Sequence, residues 1–346
     1  SNVGVIEIGA VSDTRNESAR PGEDNVAAAF TIWEGLNPAS VLIPPTREDG
    51  ITTVVINPGA GLIAGQSAVV DLVDGGVSDM VLRSSAAMVA NLVNPRFVNA
   101  DSRGEMMLRL REILDDARTY ARRRADFERA QTREFSASHL DLEALQPVLA
   151  GRLPMLVAVN RASDIEAVLK LARDYNIKVI IGGGAEAWQV ADKLKAANVP
   201  VLTGAMNNIP ESFSQLGQRQ ETAGMLTAAG VRVAIIGNAG GGDEETFNAR
   251  NVRYEAGNAV AYGMKWDDAL RAATLTPAEV FGVADRIGSL QPGKEGNVVV
   301  WSGDPFEFAT RAEHVIVRGR EYRDLSRQDM LTERYKNLPP NFNVKP

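Results

Sequence analysis

The chain has 346 residues, 45% of them apolar, with 31 glycines and 16 prolines, a composition that supports a sizeable core and disfavours collagen-like or disordered chains. Its 37 basic and 44 acidic side chains leave a formal charge of -7, so the overall field repels phosphate backbones and anionic lipid and argues against a nucleic-acid role. Cysteine is absent, which removes disulfides, thiolate zinc sites and cysteine nucleophiles together.

In chain order, a weak strand is expected at Val3 to Gly9 and a clear one at Ile51 to Asn57 (ITTVVIN), then a weak one at Met80 to Arg83. The spacing predicts a helix over Glu105 to Ala130, whose mixed-sign repeat DDARTYARRRADFERA describes a solvated face. Beyond it, strands at Met155 to Asn160, Lys178 to Ile181, Val199 to Thr203 and Val231 to Ile236 alternate with helices. Those helices run over Ala162 to Tyr175, Ala187 to Ala196, Glu221 to Ala229 and Asn248 to Gly263. Seven or eight βα units before residue 283 predict an α/β fold, a (β/α)8 barrel of the TIM type over residues 1–283. An open doubly wound sheet is the alternative, but no G-x-G-x-x-G follows the first strand. Near residue 284 the pattern changes to strand-like runs with Gly and Pro turns, which reads as a small β subdomain over 284–323. A charged, Pro-containing tail follows over 324–346. No apolar run reaches 18 residues, and the first residues carry neither a basic n-region nor an apolar h-region, as in a chain already trimmed of any targeting segment.

Histidine is scarce. Imidazole is the commonest metal ligand and general base, and only His139 and His314 exist. His139 falls at a helix start and His314 in the small β unit, so both read as structural or surface residues. Two Gly-rich turns, Gly182 to Gly184 and Gly240 to Gly242, follow apolar strands and precede helices. Their N–H groups could cradle an anion, although Asp243, Glu244 and Glu245 would repel one at the second. Asn160, Arg161 and Asp164 at the end of one strand, with Glu186 and Trp188 beyond the next, either hold a small ligand or brace loops and cap the following helix. A serine nucleophile is disfavoured, because AGQSAVV lacks the second glycine of G-x-S-x-G.

The stretch ALRAATLTPAEVFGVADRIGSLQPGKEGNVVVWSGDP resembles the C-terminal part of amidohydrolase-superfamily enzymes, in particular the imidazolonepropionase-like branch. The likeness continues upstream through GITTVVINPGAGLIAGQSAVV, LPMLVAVNRASDIEAVLKLA, AEAWQVADKL and VRYEAGNAVAYGMKWDDAL. The resemblance implies zinc or another divalent metal at the C-terminal ends of the barrel strands. Its ligands would be a His-x-His on the first strand, histidines on the fifth and sixth, and an Asp on the eighth that activates the metal-bound water. This chain departs at each such position that aligns: Asn2 stands at the second histidine of the pair, Ala158 and Gly183 at the fifth- and sixth-strand histidines, and Asn238 at the aspartate. Val93 replaces an acidic residue of a G-E-N-P pattern, and Asn297 replaces the acid of A-D-L-V. Alanine and glycine offer no lone pair, and a neutral amide is a weak zinc ligand and a poor base.

The expectation is therefore an amidohydrolase-like barrel with no metal cofactor and no catalytic residues, a structural or regulatory subunit of a related active amidohydrolase or of a homo-oligomer. In the family the small β-sandwich draws strands from both sides of the barrel. Asn297 to Trp301 and His314 to Val317 would then present unpaired edges to a partner. The alternatives are an active metal-dependent hydrolase of cyclic amides or other non-peptide C–N bonds, and a small-molecule-binding barrel using Asn160, Arg161, Glu186 and Trp188. A periplasmic or secreted setting is implied by the resemblance alone.

Overall fold

The computed structural model describes residues 1–7, 11–19, 25–129, 131, 133–206, 210, 212–237, 248–323 and 327–337. Seven strands form one sheet in sequence order: β1 (Thr53–Ile56), β2 (Ile63–Asp71), β3 (Val81–Asn91), β4 (Met155–Val159), β5 (Val179–Gly183), β6 (Val201–Thr203) and β7 (Val233–Ile235). The pairings from β3 to β7 are parallel, while β2 runs antiparallel to both β1 and β3. Short connections on either side of β2 force that reversal, since a parallel neighbour needs a crossover of a dozen or more residues.

The parallel strands read as continuous apolar runs because both faces are buried. Met155, Val157, Val159, Val179, Ile181, Val201, Val233 and Ile235 pack on one side with the helices. The alternate residues Leu156, Ile180, Leu202 and Ala234 meet Val69 and Val89 on the other side, so the sheet curls around a second core. Residues Ala278, Val280, Phe281, Val283 and Ile287 complete that inner core. The expected eight-stranded barrel is thus met as a curled α/β sheet of seven strands among the described residues.

Helix placement follows local chemistry. The Arg103–Arg122 helix begins where Ser102 Oγ accepts the Glu105 N–H, and it buries Met106, Leu110, Ile113, Leu114, Ala117 and Tyr120 at helical spacing. It stops at Arg123 and a separate turn, Arg124–Glu128, follows, so the expected single helix to Ala130 is broken. The Ala162–Tyr175 helix ends on Asn176 in the left-handed conformation, as a C-terminal cap requires.

Three expectations are corrected. Val3 to Gly9 forms isolated bridges at Val3 and Ile6 in place of a strand, and residues 8–10 lie outside the described residues. The weak strand at Met80 to Arg83 is the start of the eleven-residue β3. The expected strands do not include Ile63–Asp71, which forms β2. Gly65 is needed there, because at φ +125° an added Cβ would meet the Phe30 carbonyl oxygen at 2.6 Å.

Near the C-terminus, β8 (Val298–Trp301), β9 (Ala312–Val317) and β10 (Arg320–Tyr322) form an antiparallel sheet in the order β10–β9–β8. His314 to Val317 therefore does not present an open edge; β9 is the central strand, and β8 lies at the side. The inward residues Val315, Val317 and Tyr322 join Val54, Ile56, Val70, Val3 and Val5 in one core, so this sheet packs on the β1–β2 hairpin. A polar lock secures the contact. Arg318 Nε donates to the fully buried Asp71 carboxylate at 2.7 Å, Thr53 Oγ1 donates to the same carboxylate at 2.5 Å, and the Asn297 amide donates to Thr53 Oγ1 at 3.2 Å. Asn297 thus serves as a brace.

Candidate functional site

The parallel strands end together, and the residues leaving β4, β5 and β6 meet there. Ala158 pairs in register with Gly182, and Val159 with Gly183. The interior row of Leu156 and Ile180 therefore continues into Ala158 and Gly182, with no donor atom on either. Gly183 sits at φ +84°, and an added Cβ would come 2.7 Å from Asn160 Oδ1. Asn160 is buried, at 7% exposure, and its backbone oxygen accepts the Glu186 N–H at 2.9 Å while Oδ1 accepts the Ala185 N–H at 3.4 Å. An amide belonging to the β4 end thus occupies the space that a side chain at 183 would need.

The other positions that the resemblance marks are equally poor in donors. Asn2 lies beside the end of β1, where its amide, in the orientation its neighbours require, donates to the Ser1 oxygen at 2.9 Å and the Asn57 oxygen at 3.1 Å. Asn238 and residues 240–245 lie outside the described residues. Val93 contributes only its backbone oxygen, which accepts a long bond of 3.4 Å from Arg103. His139 opens the exposed start of the His139–Ala144 helix against Phe127, and His314 Nδ1 lies 2.7 Å from Glu321 Oε1 on the C-terminal sheet. Among the described residues no three His, Asp or Glu side chains gather in a way that could hold a metal ion. A divalent metal takes imidazole or carboxylate donors, and the side chains at Asn2, Ala158 and Gly183, the positions that the resemblance marks, do not supply such a set.

Polar residues do converge just outside these strand ends. A cleft of about 520 Å³ is lined by Arg103, Arg161, Ser163, Glu186, Gln189 and Ser214, with Ala162, Phe213 and Leu216 as its apolar part. Arg161 stands at the N-cap of the Ala162–Tyr175 helix, is exposed, and has no side-chain partner among the described residues. Glu186 accepts the Ala162 N–H at 2.9 Å through Oε2, so a carboxylate of the chain already satisfies the start of that helix. Arg103 is held by Asp164 at 2.8 Å. Trp188 donates through Nε1 to the Gly217 oxygen at 2.9 Å, and the Arg219 guanidinium stacks 4.8 Å above its ring.

The four expected ligand-binding residues are therefore divided. Arg161 and Glu186 share the cleft, Asn160 braces the neighbouring turn and lines a smaller cavity with Thr203 and Thr222, and Trp188 supports the 213–219 segment from behind. Sequence reasoning missed Arg103, Gln189, Phe213 and Ser214 on the cleft walls. Arg103 had a local signal in the helix start at Ser102 and Glu105, while nothing near Phe213 marks it out.

Comparison with known proteins gives a consistent ancestry. A sequence profile described as the amidohydrolase family matches residues 166–345, just over half of the chain. The amidohydrolase tasK of Hapsidospora irregularis is 22% identical over 334 residues, covering 88% of this chain and 34% of the relative, so the chain spans about a third of that protein's length. The crystal structure of an amidohydrolase from Thermotoga maritima MSB8 superposes with a TM-score of 0.82 at 24% identity, over 94% of this chain and 85% of that one, and so shares the fold. Profile, relative and fold agree, and the chain belongs to the amidohydrolase family.

Proposed function

We propose that this chain is a non-hydrolytic member of the amidohydrolase family, of the imidazolonepropionase-like branch, that takes no metal cofactor and serves as a structural or regulatory partner of a related active amidohydrolase. The observation that carries the reading is the filled position at Gly183, where an added Cβ would lie 2.7 Å from Asn160 Oδ1, one residue beyond the donor-free pair Ala158 and Gly182. A family ligand set would need several of these places at once, because catalytic zinc takes three protein ligands and keeps one position open for water. The lost positions are Asn2, Ala158, Gly183 and Asn238.

The partnering part of the proposal rests on β8, whose far side has no strand against it among the described residues and whose Val300 is 43% exposed. A strand added there would satisfy its backbone groups. A closed barrel over 1–283, a β subdomain over 284–323 and a periplasmic or secreted setting belong to the same proposal and rest on the family resemblance.

The test combines light scattering with an activity assay. The purified chain, supplied with zinc or manganese, is expected to leave cyclic amides and other C–N substrates intact and to associate with itself or with an active amidohydrolase. Turnover by the chain alone would overturn the non-hydrolytic reading in favour of the hydrolase that family membership otherwise suggests. A strictly monomeric chain that captures no active family member would overturn the partnering role.

A further inference from the structure

The cleft beside the strand ends has a composition that selects a ligand class. We propose that it binds a small hydroxylated monocarboxylate of sugar-acid size, a uronate-like molecule.

The charge balance sets the first constraint. The lining carries the guanidiniums of Arg103 and Arg161 against the single carboxylate of Glu186. Arg103 is already matched by Asp164, but Arg161 has no side-chain partner among the described residues, so one planar cation is available to a ligand. A guanidinium recognises a carboxylate through two parallel N–H···O bonds, which a phosphate could also accept. A dianion, however, would face Glu186 across the cleft, and the start of the Ala162–Tyr175 helix is already taken by that same carboxylate at 2.9 Å. One negative charge fits this wall better than two.

The remaining lining sets the second constraint. Ser163, Gln189 and Ser214 contribute hydroxyl and amide groups, which suit a ligand with several hydroxyls and would be wasted on an aliphatic acid. Phe213 is 90% exposed and Leu216 63% exposed at the rim, an unusual placement that offers an apolar surface to the C–H face of a pyranose ring. A volume of about 520 Å³ lies within the range of small-molecule sites. None of these groups needs a metal or any bond-breaking step, so the inference stands apart from the proposed loss of hydrolysis.

Isothermal titration of the intact chain with sodium glucuronate, beside glucose and inorganic phosphate, tests it. Glucuronate is expected to bind more tightly than either control. The variant Arg161→Ala, at an exposed position with no side-chain partner to lose among the described residues, is expected to weaken binding by about tenfold or more while leaving thermal unfolding unchanged. Phe213→Ser is expected to weaken it without abolishing it. No glucuronate binding at about 20 mM would overturn the proposal. So would glucose or phosphate binding as tightly as glucuronate, or an affinity that Arg161→Ala leaves unchanged.

Discussion

Placing any side chain at position 183 perturbs the site directly, and the smallest case is Gly183→Ala. Two costs add. The first is conformational: at φ +84° an L-residue is strained by about 1–2 kcal/mol. The second is steric. The new Cβ would lie 2.7 Å from Asn160 Oδ1, and Asn160 cannot swing freely because it is buried and bonded to the 185–186 turn. Overpacking of this kind costs about 1–3 kcal/mol, so the sum is about 2–5 kcal/mol. In a chain of this size that lowers the thermal midpoint by roughly 3–7 °C. Gly293→Ala isolates the first cost, since Gly293 has φ +88° and, among the described residues, nothing within 4 Å of an added Cβ. It should lose only about 1–2 kcal/mol. Combining Gly183→Ala with Asn160→Ala should then recover roughly 1–2 kcal/mol relative to additivity. Urea and thermal unfolding of the four variants measure all three quantities. If Gly183→Ala is no more destabilising than Gly293→Ala, the reasoning that Asn160 has taken the ligand's place fails.

Other expectations concern the polar lock and the titrating groups. Asp71→Asn removes the charge opposite Arg318 from a fully buried position and should cost about 2–3 kcal/mol in urea unfolding, whereas Lys193→Ala, which breaks a half-exposed pair with Glu166 that solvent screens, should leave the urea midpoint nearly unchanged. Burial holds the Asp71 carboxyl above its ordinary value of 3.8, so the folded chain keeps a proton that the unfolded chain has released. In the window just above 3.8 this group makes stability fall as pH rises, and Asp71→Asn should remove that slope. The Tyr175 phenol is pushed up to about 12 from 10.0, chiefly by burial and then by Asp115, so its contribution to stability should be lost as pH climbs between those values. Ultraviolet difference absorbance on wild type and Tyr175→Phe checks this, and a Tyr175 that ionised with the exposed tyrosines would contradict it.

The parallel half of the sheet was legible because burial on both faces leaves an unmistakable apolar signature in Met155 to Val159 and Val179 to Ile181. The helix over Ala162 to Tyr175 matched because its start, its apolar spacing and its Asn176 end all agree. The antiparallel hairpin of β2 and β3 was only partly legible: Gly65 and an irregular register interrupt the β2 pattern, and only the close approach of Phe30 to Gly65 explains why glycine stands there. For the site, the sequence marked Arg161 and Glu186, which flank strand ends and are close in the chain to recognisable turns. The opposite wall comes from the 213–216 segment and from Arg103, which fold back from distant parts of the chain, and no local pattern records such a meeting. That Ala158 and Gly183 stand at ligand positions is implied by the family resemblance alone, and the reason Gly183 resists replacement has no sequence signal, since it depends on where Asn160 points.

Metal content tests the central claim most directly. The chain should be produced in medium supplemented with zinc and manganese, dialysed without chelator, and analysed by inductively coupled plasma mass spectrometry beside a protein determination. The account predicts far less than one equivalent of either metal per chain. Binding of about one equivalent or more that survives dialysis would contradict it, because it would require ligands that Asn2, Ala158 and Gly183 do not supply.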